Sequence, residues 1–210
     1  MKHPIELLEH YWKFSEFKPQ QEEIIEAVLA NEDCIALLPT GGGKSVCFQI
    51  PALIKDGICI VISPLIALMQ DQVNTLKEKG IKAMALTSGF TYEDIDRMLD
   101  NCIYGNYKFL YLSPERLQQD LVQERIKQMN VNLIAVDEAH CISQWGHDFR
   151  PAYRTIKILR TLHPNVNVIG LTASATAKVV KDIYTQLDCI APQIFKSSFE
   201  RPNLAYLTLD

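Results

Sequence analysis

The sequence predicts an α/β fold in which helices cover both faces of a mostly parallel central sheet. Short apolar runs alternate along the chain with segments of helical periodicity, the order in which parallel sheets are built. Most of the runs are continuously apolar rather than alternating, as expected of strands buried on both faces. The chain has 210 residues, 48% of them hydrophobic, which fits one large domain with a substantial core.

The predicted elements follow from these patterns. The short apolar runs interpreted as strands are residues 34–38, 58–63, 83–87, 109–112, 133–137 and 168–172. The segments with helical periodicity, which would cover the sheet, are residues 19–30, 45–54, 66–79, 92–102 and 178–187. Residues 1–210 would form a single domain, and we interpret residues 193–210 as a segment that leaves it.

Polar residues follow most of the predicted strands at their carboxyl ends. These exits are residues 39–45, 63–65, 113–115, 137–138 and 172–174. Because the carboxyl ends of parallel strands meet at one edge of a sheet, the exits predict one working face for binding and chemistry.

A glycine-rich loop lies between the first predicted strand and the next helix, at residues 37–45 (Leu-Leu-Pro-Thr-Gly-Gly-Gly-Lys-Ser). This order is typical of a loop that binds nucleotide phosphates. The loop residues that would bind a nucleoside triphosphate are Thr40, Gly41, Gly42, Gly43, Lys44 and Ser45. The glycines let backbone N–H groups approach the phosphates, Lys44 reaches the β- and γ-phosphates, and Ser45 binds Mg²⁺.

Two features of this loop bear on its interpretation. The general phosphate-loop pattern has a glycine where this chain has Leu38, and the looser form suits helicase-type ATPases better than small nucleotide kinases. The alternative is a glycine-rich turn that only caps a strand. That alternative is less favoured, because such turns seldom need Gly-Lys-Ser directly before an apolar helix.

Two adjacent carboxylates, Asp137 and Glu138, end another predicted strand and are followed by Ala139 and His140. We expect this strand to lie beside the strand that precedes the phosphate loop. Asp137 would then reach the Mg²⁺ held by Ser45, and Glu138 would polarise an attacking water. Alone, such a pair is more often a solvated turn, but the upstream phosphate loop favours the catalytic interpretation.

Composition limits the other possibilities. The six cysteines include no C-x-x-C pair and several lie in apolar runs, so we expect reduced thiols in a cytoplasmic protein. There is no signal-peptide pattern and no apolar stretch of about 20 residues, which predicts a soluble protein without a membrane partner. A net charge of −4 excludes a generally basic nucleic-acid coat, so any such contact must be local.

Taken together, the motifs resemble the first RecA-like domain of a RecQ-type superfamily 2 DNA helicase. The segments that carry the resemblance are residues 17–23, 39–45, 61–72, 111–117, 137–140 (Asp-Glu-Ala-His), 141–151 and 171–176. The most discriminating is 141–151, Cys-Ile-Ser-Gln-Trp-Gly-His-Asp-Phe-Arg-Pro, which is similar to the aromatic-rich loop of that family. The resemblance implies a RecA-like P-loop NTPase fold.

Upstream of the phosphate loop, Phe14, Lys18 and Gln21 combine a ring, a cationic stem and an amide. Gln21 can bond the adenine edge through its paired donor and acceptor, while Phe14 and Lys18 sandwich the base. The resemblance implies the same role. The alternative is a helix start with Phe14 and Phe17 in the core. Two residues depart from the family pattern, since Lys13 replaces a glycine and Lys18 the commoner arginine.

The aromatic loop has the composition of a stacking platform for single-stranded bases. By resemblance, Trp145, Phe149 and Arg150 would couple DNA binding to hydrolysis, and the less favoured alternative is that Trp145 is a core anchor. Hydroxyls and N–H groups at Ser63-Pro64 and at Ser113 could grip phosphates without reading sequence, or these segments could be plain turns.

The resemblance implies ATP hydrolysis with Mg²⁺. Lys44 and the metal would neutralise phosphate charge, Asp137 would hold the metal with Ser45, and Glu138 would orient water. His140 and residues 172–176, including Thr172 and Ser174, would couple this chemistry to movement. The implied partner is single-stranded and partially duplex DNA, with 3′-to-5′ translocation and unwinding in repair and recombination, by a monomer.

Such an enzyme needs an arginine finger, worth about 10³ to 10⁵ in rate, and the family carries it on a second RecA-like domain. Because the chain stops at Asp210 and residues 198–204 resemble the family's exit from the first domain, we expect a fragment that alone binds ATP weakly and unwinds nothing. Two other functions stay open: an RNA-directed DEAH-type ATPase, and a non-catalytic nucleic-acid-binding module.

Overall fold

A parallel sheet forms the centre of the computed structural model, which describes residues 3–197. Its strands are β1 (Cys34–Leu37), β2 (Ile58–Ile62), β3 (Ala83–Leu86), β4 (Phe109–Leu112), β5 (Val131–Val136), β6 (Val168–Thr172) and β7 (Gln193–Lys196). They lie in the order β3-β4-β2-β5-β6-β1-β7, and each pairing in the described residues is parallel. The predicted α/β fold class is confirmed.

Helices precede β1 and connect the successive strands. They are α1 (Pro4–Leu7), α2 (Gln21–Leu29), α3 (Lys44–Ile54), α4 (Ile66–Glu78), α5 (Tyr92–Tyr104), α6 (Pro114–Leu117), α7 (Asp120–Lys127), α8 (Ile158–Leu162) and α9 (Ala177–Gln186). A π-helical turn follows α1 at Leu8–Trp12, and 3₁₀ turns cover Ala139–Ile142 and Pro151–Lys157. The five predicted helices correspond to α2, α3, α4, α5 and α9, whereas the shorter helices were not predicted.

The core consists of two layers, one on each face of the sheet. In β5, Leu133 and Ala135 belong to one layer, while Ile134 and Val136 belong to the other. This alternation follows from the two-residue period of a strand, and burial on both faces explains why the runs are continuously apolar. At about 1.5–3 kcal/mol for each large aliphatic side chain removed from water, the two layers are the main source of stability.

One expectation about strand order is wrong. The sequence interpretation placed the strand that ends in Asp137 beside the phosphate-loop strand, but β6 lies between β5 and β1 and pairs with both. The alternation of strands and helices along a chain does not encode which strands become neighbours, so the order could not be read from it.

The edge strand β7 was not predicted, and it pairs with β1 on the side away from β6. Residues 193–196, interpreted as the start of an exit segment, therefore belong to the sheet. The rest of that segment, residues 198–210, lies outside the described residues. Within residues 3–197, the structure has no helix with the length and apolar character that crossing a membrane requires.

The six cysteines are free, and all but the half-buried Cys189 are buried. Cys34, Cys47 and Cys59 lie in one core layer, and Cys102 and Cys141 lie in the other. These positions agree with the interpretation of cysteine as a small apolar side chain in this chain.

A buried carboxylate joins β7 to the rest of the sheet. Asp33, only 5% exposed, accepts hydrogen bonds from the backbone N–H groups of Val168 (2.8 Å) and Ile190 (2.7 Å). It also forms an ion pair with Arg160. Asp33 therefore connects the start of β1, the start of β6 and the turn before β7.

We expect Asp33→Ala to lower the free energy of unfolding by about 3–5 kcal/mol, because it leaves the Arg160 guanidinium and two N–H groups without their partner. Urea unfolding followed by circular dichroism measures the change. Glu32→Gln, at the neighbouring exposed carboxylate, is the control and should be nearly neutral. A loss below about 1 kcal/mol for Asp33→Ala would contradict this role.

Candidate active site

The phosphate loop leaves the carboxyl end of β1, and α3 begins at Lys44. Gly43 has φ +74°, and a Cβ on it would lie 2.2 Å from Nε2 of Gln21. The same amide nitrogen donates to the carbonyl oxygen of Gly43 at 3.0 Å. Only glycine therefore fits this position, both for its left-handed backbone and for the close approach of Gln21.

The predicted adenine-binding residues Lys18 and Gln21 lie against this loop. Lys18 Nζ donates to the carbonyl oxygen of Gly41 (2.7 Å), and the backbone N–H of Lys18 donates to Oε1 of Gln21 (2.8 Å). Gln21 is 3% exposed, whereas Phe14 is 55% exposed. The alternative that both Phe14 and Phe17 belong to the core is therefore wrong for Phe14. It is correct for Phe17, which packs on the core cluster around Leu8.

Lys13, where the family pattern has a glycine, adopts a left-handed conformation with φ +63° at the end of the π-helical turn. A side chain in this region is strained by contact between Cβ and the following carbonyl oxygen. This left-handed backbone is one that glycine adopts without strain, and Lys13 adopts it at some expense of stability.

The two carboxylates follow β5 directly. The N–H of Asp137 donates to the carbonyl oxygen of Ile62 at 2.8 Å, and Glu138 then turns the chain with φ +45°. A left-handed glutamate is uncommon, and such strain is often found at functional sites. Oε1 of Glu138 lies 3.8 Å from Nζ of Lys44. The structure therefore brings the carboxylate to the phosphate loop although β6 separates their strands.

Asp137 lies in an environment that disfavours a lone negative charge. Burial, and then the neighbouring Glu138, raise its pKa from 3.8 to about 6. Ser45 is half-buried in the first turn of α3. Oxygen ligands are those that Mg²⁺ prefers, and a buried carboxylate with a raised pKa gains from a cation, so Ser45 and Asp137 fit this metal.

His140 connects Glu138 to the segment after β6. Its Nδ1 lies 3.3 Å from Oε2 of Glu138 and 2.9 Å from Oγ1 of Thr172. The Thr172 hydroxyl in turn lies 3.2 Å from the carbonyl oxygen of Ser174. Burial, the largest cause, lowers the pKa of His140, which keeps the ring neutral near pH 7. Polar groups no more than 3.8 Å apart thus lead from Lys44 through Glu138, His140 and Thr172 to the carbonyl oxygen of Ser174.

The aromatic loop follows this path immediately. Trp145 is 57% exposed, so the core-anchor alternative is wrong. Phe149 is half-buried, with the Arg154 guanidinium carbon 5.1 Å from its ring centroid. Arg150 pairs with Asp148 at 3.2 Å and donates to the carbonyl oxygen of Pro64 at 3.2 Å. The loop therefore shows an indole at the surface and is joined by Arg150 to the turn after β2.

The loop is anchored to the catalytic segment by a ring stack. The ring of His147 lies on that of His140, with centroids 4.3 Å apart and planes 17° from parallel. A Cβ on Gly146 would lie 2.6 Å from the carbonyl oxygen of His140, so glycine is required for this close approach.

The two Ser-Pro turns differ from expectation. Ser63 is 2% exposed, and its Oγ has no hydrogen-bond partner among the described residues. The hydroxyl predicted to contact a nucleic-acid phosphate is therefore inside the protein. Ser113 caps α6 by accepting from the N–H of Arg116 at 3.4 Å, which is the turn alternative. Both serines end buried strands, and sequence cannot show which way a hydroxyl points.

The sequence profile of the DEAD/DEAH box helicase family matches residues 18–183. The chain belongs to that family. Among curated proteins, it is 46% identical over 202 residues to the ATP-dependent DNA helicase RecQ of Bacillus subtilis, covering 95% of this chain and 34% of the relative. It is 41% identical to the ATP-dependent DNA helicase Q1 of Rattus norvegicus, covering 95% of this chain and 33% of the relative. The predicted resemblance to RecQ helicases is confirmed.

Among solved structures, the Hef helicase domain of Pyrococcus furiosus superposes with a TM-score of 0.65 at 23% identity, covering 90% of this chain and 40% of that one. At that identity the likeness supports only the fold, which is RecA-like as predicted. This DEAD/DEAH box chain spans about a third of the length of the curated relatives named above.

Sequence reasoning missed some residues at the site of this DEAD/DEAH box domain. The Tyr153 hydroxyl donates to the carbonyl oxygen of Asp137 at 3.0 Å and so steadies the carboxylate turn. Lys178, in the first turn of α9, lies over the ring of Trp145. Neither residue belongs to a local motif, and only the folded chain brings each to its partner.

We expect Lys13→Gly to stabilise this DEAD/DEAH box domain by about 0.5–1 kcal/mol. The substitution relieves the strain of a left-handed residue with a Cβ, and the greater conformational freedom of glycine in the unfolded chain offsets part of this gain. Thermal unfolding measures the change. Lys13→Ala is the matched control, because it removes the same side chain and keeps the Cβ. Equal stabilisation by both variants would show that backbone strain is not the cause.

A second prediction concerns pH. The folded-state pKa of Asp137 lies above its usual 3.8, so the folded chain holds a proton there that the unfolded chain releases between about pH 4 and 6. The stability from this group is present below that window and is lost as pH rises through it.

Asp137→Asn should therefore match the wild type near about pH 4 and exceed its free energy of unfolding by about 1–3 kcal/mol near about pH 7.5. Urea unfolding in EDTA without nucleotide measures the free energy of unfolding at both pH values. The exposed Asp71→Asn serves as control and should show no such pH-dependent gain. A gain for Asp137→Asn that is the same at both pH values would refute the assignment.

Proposed function

We propose that this chain is the ATP-binding motor domain of a RecQ-like DNA helicase, which couples ATP hydrolysis to 3′-to-5′ movement and duplex unwinding. The observation that carries the proposal is the position of Glu138. It lies between Lys44 of the phosphate loop (3.8 Å) and His140 (3.3 Å), and His140 carries the stacked ring of His147. One carboxylate therefore links the phosphate-binding loop to the aromatic loop.

The residues have the chemistry that hydrolysis of ATP needs. N–H groups of the glycine loop and Lys44 bind the phosphates. Ser45 and Asp137 would hold Mg²⁺, which would supply positive charge next to the transferring phosphoryl group. Glu138 orients the attacking water and accepts its proton. Phe14, Lys18 and Gln21 lie upstream of the same loop and would hold the adenine, with Gln21 exchanging its hydrogen bonds to Lys18 and Gly43 for bonds to the base.

In the proposed coupling, DNA bound at the aromatic loop acts on Glu138 through His147 and His140. Bases stack on Trp145 and Phe149, and Arg150 sets the loop relative to Pro64. A shift of His147 moves His140, which contacts both Glu138 and Thr172. DNA on the loop thereby changes the position of the water-orienting carboxylate.

The substrate we propose is single-stranded and partially duplex DNA. The curated relatives named above are called DNA helicases, which favours DNA over RNA as the partner. The protein would act in the cytoplasm as a monomer, in repair and recombination. A second RecA-like domain would add the arginine finger, worth about 10³ to 10⁵ in rate. An RNA-directed ATPase is the alternative that the DEAD/DEAH motif leaves open.

The testing experiment is ATP hydrolysis by the natural full-length protein with single-stranded DNA, with RNA and with neither, at one salt concentration. We expect strong stimulation by DNA and little by RNA. Residues 1–210 alone, measured in parallel, should show little stimulated turnover, because the arginine finger of this proposal would lie on the second RecA-like domain. Equal stimulation by RNA would favour the alternative, and strong DNA-stimulated turnover by the 210-residue chain would contradict the need for a second domain.

Two substitutions separate chemistry from coupling in the same assay. Lys44→Ala should abolish basal and stimulated hydrolysis, whereas Trp145→Ala should keep basal hydrolysis and lose the stimulation. Glu138→Gln should lower turnover by about 10²–10⁴ while ATP binding persists. If Trp145→Ala lowered basal and stimulated rates equally, the loop would not be the coupling element.

A further inference from the structure

A cation lies on the exposed ring of the aromatic loop. Nζ of Lys178 is 3.1 Å from the ring centroid of Trp145. Both side chains are exposed, with 57% of Trp145 accessible to solvent. Tryptophan is the most favourable of the aromatic rings for a cation–π contact. One face of the indole is therefore already in use by a residue of the same chain.

This contact joins the aromatic loop to α9. Lys178 belongs to the first turn of α9, whose N-cap is Thr176. Between the loop and α9 lies a cavity of about 450 Å³, lined by His140, Trp145, Gly146, His147, Ser174, Ala175, Thr176 and Val179. Because Trp145 is 57% exposed beside this open cavity, its contact with Lys178 is a surface contact rather than core packing.

The α9 side of the contact is connected to the catalytic path. Thr176 belongs to the segment that begins at Thr172, and Thr172 lies 2.9 Å from His140. The loop side is connected to the same histidine by the stacked ring of His147. The aromatic loop and the start of α9 are therefore each connected to His140, and the contact between Lys178 and Trp145 connects them directly to each other.

We propose that Lys178 is a positioning residue that occupies the stacking face of Trp145, so that a DNA base must displace it to bind there. The proposal rests on the function proposed above for the aromatic loop. While Lys178 covers the indole, the loop stays against α9 and the segment after β6. Stacking of a base frees the loop from α9, which makes DNA binding and loop movement one event.

A plain phosphate contact by Lys178 would have the opposite consequence. A lysine that binds the DNA backbone strengthens binding, and its removal weakens binding and lowers the dependence on salt. A lysine that competes with bases for the indole weakens binding, and its removal strengthens it. The sign of the change in affinity thus separates the two roles.

The experiment uses the 210-residue chain with Trp12→Phe, which leaves Trp145 as the sole tryptophan of the two in the sequence. In this background we compare Lys178→Met, Lys178→Arg and Lys181→Met. Lys181 is exposed on the same helix and is the matched control for the loss of one positive charge. Tryptophan emission is recorded without DNA, and affinity is recorded with a labelled oligothymidine at low salt.

We expect Lys178→Met to change the emission of Trp145 without DNA, while Lys178→Arg and Lys181→Met leave it close to the parent. Relative to Lys181→Met, Lys178→Met should bind the oligonucleotide about two- to fivefold more tightly, the fold-change that an exposed cation–π contact corresponds to. Unchanged emission would overturn the contact itself, and unchanged or weaker DNA binding would overturn the competition.

Two variants distinguish the role proposed for the aromatic loop from the role proposed for Lys178. If Trp145→Ala keeps full DNA stimulation in the full-length protein, the proposed role of the loop is wrong, and with it the competition between base and lysine. If Trp145→Ala loses stimulation but Lys178→Met does not bind more tightly, the loop role stands and only the role of Lys178 is wrong.

Discussion

Burial of the sheet on both faces is the constraint on which the rest of this structure depends. With core layers above and below, side chains along the inner strands must be apolar, as those of β5 are with the exception of Asn132. Polar chemistry is thereby restricted to the strand ends. All the strands within residues 3–197 run in the same direction, so the phosphate loop, Asp137 and Thr172 meet at one edge although they are far apart in the sequence.

At that edge, the side chain of Glu138 connects the phosphate loop to His140. Its left-handed backbone turns the chain out of β5 and brings its carboxylate between Lys44 and His140. Strain in one residue is small against the stability of two core layers, and the hydrogen bond from Tyr153 to the adjacent carbonyl oxygen helps to hold the turn. The rigid sheet thus stabilises a local geometry that a free loop would not keep.

The sequence predicted those features that depend on neighbouring residues. Continuous apolar runs gave the strands within a residue or so at most ends, and the glycine loop gave the start of α3. Features that depend on distant residues were missed. The insertion of β6 between β5 and β1, the pairing of β7 and the buried hydroxyl of Ser63 all follow from which strands become neighbours. For the site, the residues after β5 and β6 were found as motifs, but the contact of Lys178 with Trp145 joins segments without a shared pattern.

The buried cysteines make it possible to detect the opening of either core layer of this chain. Thiols lie in both core layers, and burial raises the pKa of Cys34, Cys47, Cys102 and Cys141 to about 12. A thiol that is neither ionised nor accessible is inert towards alkylating reagents. Modification at each position therefore follows the opening of the layer in which that cysteine lies. The order in which the thiols become reactive would show which face of the sheet opens first, without any added label.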